Sequence, residues 1–189
     1  MQTQTLEGGF SNAPVQSARA FREIMTAMAR PGVITALDGA RGPAPLSQAA
    51  SVLILTLCDP ETPIYLAPSV DVPAVRAWVT FHTGAPFVAP DRAQFAVGTW
   101  PELTAHDFPI GTPEFPDRSA TLIVESGPLA ASGAVLKGPG IKTASALSLP
   151  ETAAFQRNAA RFPLGLDYFF THKDQLAALP RTTQVTTCM

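Results

Sequence analysis

Nineteen prolines are spread through 189 residues, about twice the roughly 5% share of ordinary proteins. Proline fixes φ and lacks a backbone N–H, so it is kept out of helix interiors and central strands. The prolines are scattered and border apolar segments, which reads as punctuation of a packed fold and not as a polyproline tract. Apolar residues make up 46% of the chain and charged residues 15%, against about 25% charged in a usual soluble domain. A sizeable core is therefore available, and a disordered or linker protein is excluded. The formal net charge of −2 gives no sequence-wide attraction for nucleic acid or anionic lipid. The length suits a single domain over residues 1–189, with 1–15 and 186–189 expected as flexible tails.

The segment Met1–Glu7 has neither a basic nor an apolar stretch of the signal-peptide kind. No apolar run approaches the roughly 20 residues that span a bilayer. A cytoplasmic, soluble protein is expected. Cys58 and Cys188 are the two cysteines, with no CxxC spacing. They read as a buried thiol and a tail thiol in a reducing compartment.

Ala18, Phe21, Ile24, Met25 and Met28 repeat at three and four residues and predict an amphipathic helix, stopped by Arg30-Pro31-Gly32. A short strand is expected over Val33–Leu37. Leu46–Leu57 is almost wholly apolar, and its length favours a buried helix over a strand. Asp71 followed by Pro73 starts a helix that ends near Phe81–Gly84. Ile64–Leu66, Pro86–Val88, Gln94–Val97, Ala120–Val124, Ala134–Leu136 and Leu166–Phe170 read as strands. Leu176–Leu179 is ambiguous. Gly98–Arg118 reads as a Pro-rich loop with one or two helical turns, and Pro150–Arg161 as a helix. Helices alternate with strands, so a layered α/β domain is expected.

Motifs for common chemistries fail one by one. Lys137–Thr143 has some P-loop character, but Leu136 and Ile141 stand where both required glycines belong. A tight turn after a strand, or a weaker anion-binding nest, remains. Ser126 and Ser132 lie outside any G-x-S-x-G elbow. His82, His106 and His172 form no HxxxH pair; His106 and His172 read as loop residues, and His82 as the end of a helix whose dipole favours a cation. Lys137, Lys142 and Lys173 are the only lysines, and none stands in a visibly desolvated setting for Schiff-base chemistry. Ten arginines suit carboxylate or anion contacts, and Arg181-Thr182-Thr183 follows the rigid Pro180.

Several of these segments occur together in one family. Phe21-Arg22, Ala27-Met28, Pro31–Ile34, Leu55–Leu57 with Asp59 and Thr62-Pro63, Phe81–Pro86, Ala120–Ile123, Leu136–Ile141, Phe162–Asp167 and Pro180–Thr183, in this order, resemble the PhnH family, subunits of the bacterial carbon–phosphorus lyase system of phosphonate catabolism. The resemblance runs from about Phe21 to Val185. It implies a three-layer α/β/α sandwich like that of PLP-dependent transferases, without the PLP-binding residues and so without a cofactor. It also implies a homodimer that joins PhnG, PhnI and PhnJ. With PhnL, the G, H and I subunits would let an alkylphosphonate displace adenine from ATP. Cleavage of the C–P bond would belong to PhnJ, since this chain has no cysteine cluster for an iron–sulfur centre. No catalytic residue and no metal ligand is assigned. Arg22, His82, Arg181, Thr182 and Thr183 are the candidates for touching substrate or a partner. Two other classes stay open: an autonomous transferase or hydrolase with an arginine-lined pocket, and a purely architectural dimer.

Overall fold

Helix boundaries fall where proline and glycine put them. The computed structural model describes residues 6–187; Cys188 lies outside them. Helix α1 (Ala13–Ala29) takes Pro14 in its first turn, where a missing N–H costs nothing, and stops before Pro31. A two-residue strand β1 (Thr35–Ala36) replaces the longer one expected there. Helix α2 (Gln48–Leu57) is capped by Ser47, whose Oγ accepts from Ala50 N at 3.1 Å. Strand β2 (Ile64–Leu66) leads to α3 (Pro73–Thr83), which ends on Gly84 in the left-handed region at φ 69°. Strand β3 (Phe95–Thr99) runs into the short helix α4 (Trp100–Thr104), the helical turn expected in the Pro-rich loop. Then follow β4 (Thr121–Glu125), β5 (Ala134–Lys137), β6 (Ser145–Leu147), α5 (Thr152–Ala159), β7 (Asp167–His172), β8 (Gln175–Leu179) and β9 (Gln184–Thr186). Pro86–Val88, expected as a strand, contributes one bridge between Phe87 and Ile64.

Six strands form the main sheet in the order β1-β8-β7-β4-β3-β2. The four strands β2, β3, β4 and β7 are parallel, while β8 runs antiparallel to both β7 and β1. The parallel strands read as continuous apolar runs because both of their faces are buried. Val97, Ile123, Phe169 and Ala178 lie side by side across the register and join the core beneath α1, α2 and α3. One residue earlier on the parallel strands, Ala96, Leu122 and Tyr168 align with Leu179 and face the opposite way. That second core is closed by α4, α5 and a separate antiparallel sheet in the order β6-β5-β9. The chain is thus α/β, but one outer layer is part helix and part sheet, which the sequence reading of helices on both faces did not contain. Strands β6 and β9 have three residues each, too few to show an alternating pattern.

Two expectations change in the outer parts. Of the segment 1–15, the described part from Leu6 onward is held in place: Trp78 Nε1 donates to Glu7 O at 3.1 Å, Arg41 N donates to Gly8 O at 2.7 Å, and α1 has begun by Ala13. Thr186, expected in the C-terminal tail, pairs with Val135. In α1 the buried face is Ala20, Ile24 and Ala27, whereas Phe21 and Met25 from the expected buried stripe are exposed. Small side chains let the helix lie close to its neighbours, so the larger ones are turned outward.

Candidate functional site

In a parallel sheet, ligands gather at the carboxyl ends of the strands, where the chain leaves each strand for its crossover. Here that edge carries Thr99 at the end of β3, Glu125 and Ser126 at the end of β4, and His172 at the end of β7. The β7–β8 hairpin turns through Lys173 and Asp174 at the same edge, and the N-terminus of α2 points into it. Together these elements bound a pocket of about 490 Å³ lined by Arg41, Ser47, Glu125, His172, Lys173 and Asp174, among others. A second hollow of about 340 Å³ shares Glu125 and Ser126 and is otherwise more apolar, with Trp100, Leu129 and Leu149.

Glu125 is the hinge between them. Its Oε1 accepts from Ser47 N at 2.8 Å, so the carboxylate caps α2, and its Oε2 accepts from Thr171 Oγ1 at 3.0 Å. Burial pushes its pKa above the usual carboxylate range, although the bonds from Ser47 and Thr171 and the nearby His172 oppose the rise. His172 Nδ1 lies 3.1 Å from Ser126 O. A carbonyl oxygen only accepts, so Nδ1 carries the hydrogen and the neutral ring keeps its basic lone pair on Nε2. Lys173 sits in the left-handed region at φ 54°, a conformation usually left to Gly or Asn. A buried carboxyl, an oriented imidazole and the exposed cations Arg41 and Lys173 thus line one pocket, a set able to bind polar ligands.

Further along the same edge Glu102 ties the ends of β2 and β3 together. It accepts from Ser69 N at 2.8 Å and from Thr99 N at 3.0 Å, completing a capping box with Thr99. Burial alone would raise its pKa, but the bonds from Ser69 and Thr99 outweigh it and hold the group at about 2.

A family model described as "Bacterial phosphonate metabolism protein (PhnH)" matches residues 8–186. The chain belongs to the PhnH family. A Rhizobium meliloti (strain 1021) protein named alpha-D-ribose 1-methylphosphonate 5-triphosphate synthase subunit PhnH is 36% identical, with 97% of each chain aligned. A Stutzerimonas stutzeri protein named putative C-P lyase subunit protein HtxG is 27% identical over 95% of each chain.

In this PhnH-family chain the five residues singled out from the sequence do not converge. Arg181 belongs to the amino edge, where β7 begins, opposite the pocket. Its Nε donates to Asp167 Oδ1 at 3.2 Å, Nη1 to the carbonyls of Pro116 at 2.8 Å and Pro163 at 3.5 Å, and Nη2 to Asp167 Oδ2 at 2.5 Å and to Ser119 Oγ. All five guanidinium N–H groups are thereby used, so the expected anion site is a structural clamp. Thr183 is 2% exposed, too deep to meet substrate, while Thr182 lines a shallow dent beside Arg181. His82 lies in the last turn of α3 as expected, but its Nε2 contacts Leu6 O at 2.9 Å and its ring packs on Trp78, so it anchors the N-terminal segment. Arg22 is exposed on α1, at the rim of a groove with Phe21 and Thr56.

Two family motifs likewise serve packing. A Cβ on Gly140 would come within 1.8 Å of Ala29 O, so the Lys137–Thr143 turn needs glycine to lie against the end of α1. Phe162–Asp167 supplies acceptors to Arg181. Sequence reasoning missed Glu125, His172, Lys173 and Arg41. The usable signal was present: the strand Ala120–Val124 is followed at once by Glu125, and Leu166–Phe170, after Thr171, by His172, Lys173 and Asp174.

Proposed function

We propose that this chain is the PhnH-type subunit of a carbon–phosphorus lyase system. In this reading it works with PhnG, PhnI and PhnL to support transfer of the ribose triphosphate moiety of ATP to an alkylphosphonate, with release of adenine. The observation that carries the proposal is the 36% identity, over nearly the full length of both chains, to the Rhizobium meliloti synthase subunit. The match to the Stutzerimonas stutzeri C-P lyase subunit points the same way. The cytoplasmic location, the homodimer and the contacts with PhnG, PhnI and PhnJ belong to this reading. So does the likeness to PLP-dependent transferases, for which the parallel strands buried between two cores are the support. No helix among the described residues is long and apolar enough to cross a membrane.

Deletion of the gene should abolish growth on methylphosphonate as sole phosphorus source while leaving growth on phosphate intact, and the wild-type chain should restore it. Undiminished growth of the deletion strain on methylphosphonate refutes the proposal. In the reconstituted mixture, adenine release from ATP and methylphosphonate should require this chain, and the chain alone should release none.

A further inference from the structure

Helix α1 is apolar on two sides. Its inner stripe, Ala20, Ile24 and Ala27, is buried in the core under the sheet. Its outer stripe carries the larger side chains, Val15, Phe21 and Met25, at 58%, 47% and 51% exposure. At 100° per residue, Ala18 falls between them on the same side. A helix apolar on both sides is ordinarily covered on both. Scattered apolar residues on a surface need no explanation, but a ridge of them on one helix face does.

The charges on this helix select what can cover the ridge. Arg22 is exposed at its edge and takes part in no ion pair among the described residues. Glu23, the only acid in α1, lies away from the ridge and accepts from Thr35 Oγ1 at 3.1 Å. Beside the ridge a groove of about 400 Å³ opens between α1 and the end of α2, lined by Ser17, Ala18, Phe21, Arg22 and Thr56. It has room for an apolar side chain, with Arg22 at the rim to meet a carboxylate. A second copy of α1 would bring another Arg22 and no acid, because a two-fold contact sets the same face against itself.

We propose that the outer face of α1 is a docking surface for a different protein, one that seats an apolar side chain in this groove and a carboxylate on Arg22. The choice of partner for the test rests on the subunit reading above. The tagged chain is co-expressed with PhnG, PhnI and PhnJ as wild type, as Phe21→Ser/Met25→Ser, as Arg22→Glu, and as Phe115→Ser, an exposed aromatic elsewhere on the surface. The first two variants should retain at least tenfold less of the other subunits, with thermal midpoints unchanged because the altered side chains are exposed; Phe115→Ser should behave as wild type. Retention by wild type and equal retention by both α1 variants overturns the docking surface and leaves the subunit reading standing. Failure of the wild-type chain to retain any subunit overturns the reading, and the proposed partner with it. Light scattering on the isolated chain closes the remaining case. If Phe21→Ser/Met25→Ser splits a dimer while capture of the other subunits is untouched, the face belongs to a second copy and the proposal is wrong.

Discussion

The two edges of the main sheet both withdraw charged side chains from water, and they leave them in opposite conditions. At the amino edge Arg181 meets an acceptor with every N–H it has, and its partner Asp167 takes three bonds from the one residue, backbone N–H included. At the carboxyl edge Glu125 accepts two bonds and borders open space, His172 keeps one ring nitrogen free of the backbone, and Arg41 and Lys173 are exposed. Saturation marks a clamp that holds segments together. Incomplete satisfaction around a pocket marks groups that can still bind something else.

The comparison breaks most visibly at Arg181. Arg181→Ala leaves the Asp167 carboxylate without its cation and with only the backbone N–H of its three bonds, and removes the donor from two carbonyls; it should lower stability by about 3 kcal/mol, near the lower bound for breaking a buried pair since both side chains keep some exposure. Arg41→Ala, at the open edge, should change it by no more than about 0.5 kcal/mol. Urea unfolding of the two variants decides the matter, and equal losses would erase the distinction between the edges.

A smaller effect is expected at Glu125. Alanine there leaves Ser47 N without its acceptor, at about 1–3 kcal/mol, whereas Gln keeps an acceptor and should cost less than about 1 kcal/mol. The pH dependence sharpens this. Because the folded protein holds the Glu125 proton more tightly than the unfolded chain does, its contribution is complete below the ordinary pKa of 4.5 and is lost as pH rises through the raised value. Wild type should therefore lose stability relative to Glu125→Gln as pH rises above 4.5. Glu102 has the reverse sign: its contribution is present above 4.5 and is lost as pH falls towards about 2. Parallel stability curves for wild type and Glu125→Gln between pH 4 and pH 8 would show that burial does not govern this carboxyl.

The smallest change concerns the hairpin. Lys173→Gly relieves a left-handed φ of 54° and should stabilise by about 1 kcal/mol. The gain is measurable as a higher unfolding midpoint; a loss instead would mean that the Lys173 side chain, and not the turn, holds the hairpin.

Much of the fold was legible because it is written in punctuation and apolar runs. Pro73 and Gly84 bracket α3, and the apolar run Ala120–Val124 announces the buried strand observed as Thr121–Glu125. The second sheet was not legible, since Gln184–Thr186 exposes two of its three residues and pairs with a strand far away in the chain. Nor was the inner face of α1, because periodicity shows a stripe but not which of two apolar stripes turns inward. The pocket escaped for a related reason. Glu125 and His172 are distant in sequence and become neighbours only because β4 and β7 lie side by side. Arg181 misled because the sequence shows only the rigid Pro180 before it, whereas Ser119, Pro163 and Asp167 are brought to it by the fold.

The pairing of Thr35 with Leu176 has a consequence for synthesis. Strand β1 leaves the ribosome early, but its neighbour β8 emerges near the end of translation, and β7 enters the sheet beside β4 scarcely sooner. For most of its synthesis the nascent chain therefore carries the helices of one core with an unfinished sheet edge, the kind of edge that templates wrong pairing. Such distant closure slows folding. A chain cut before Gln175 would lose the strand that links β1 to β7, and aggregation of that fragment, not a smaller folded protein, is the expected fate.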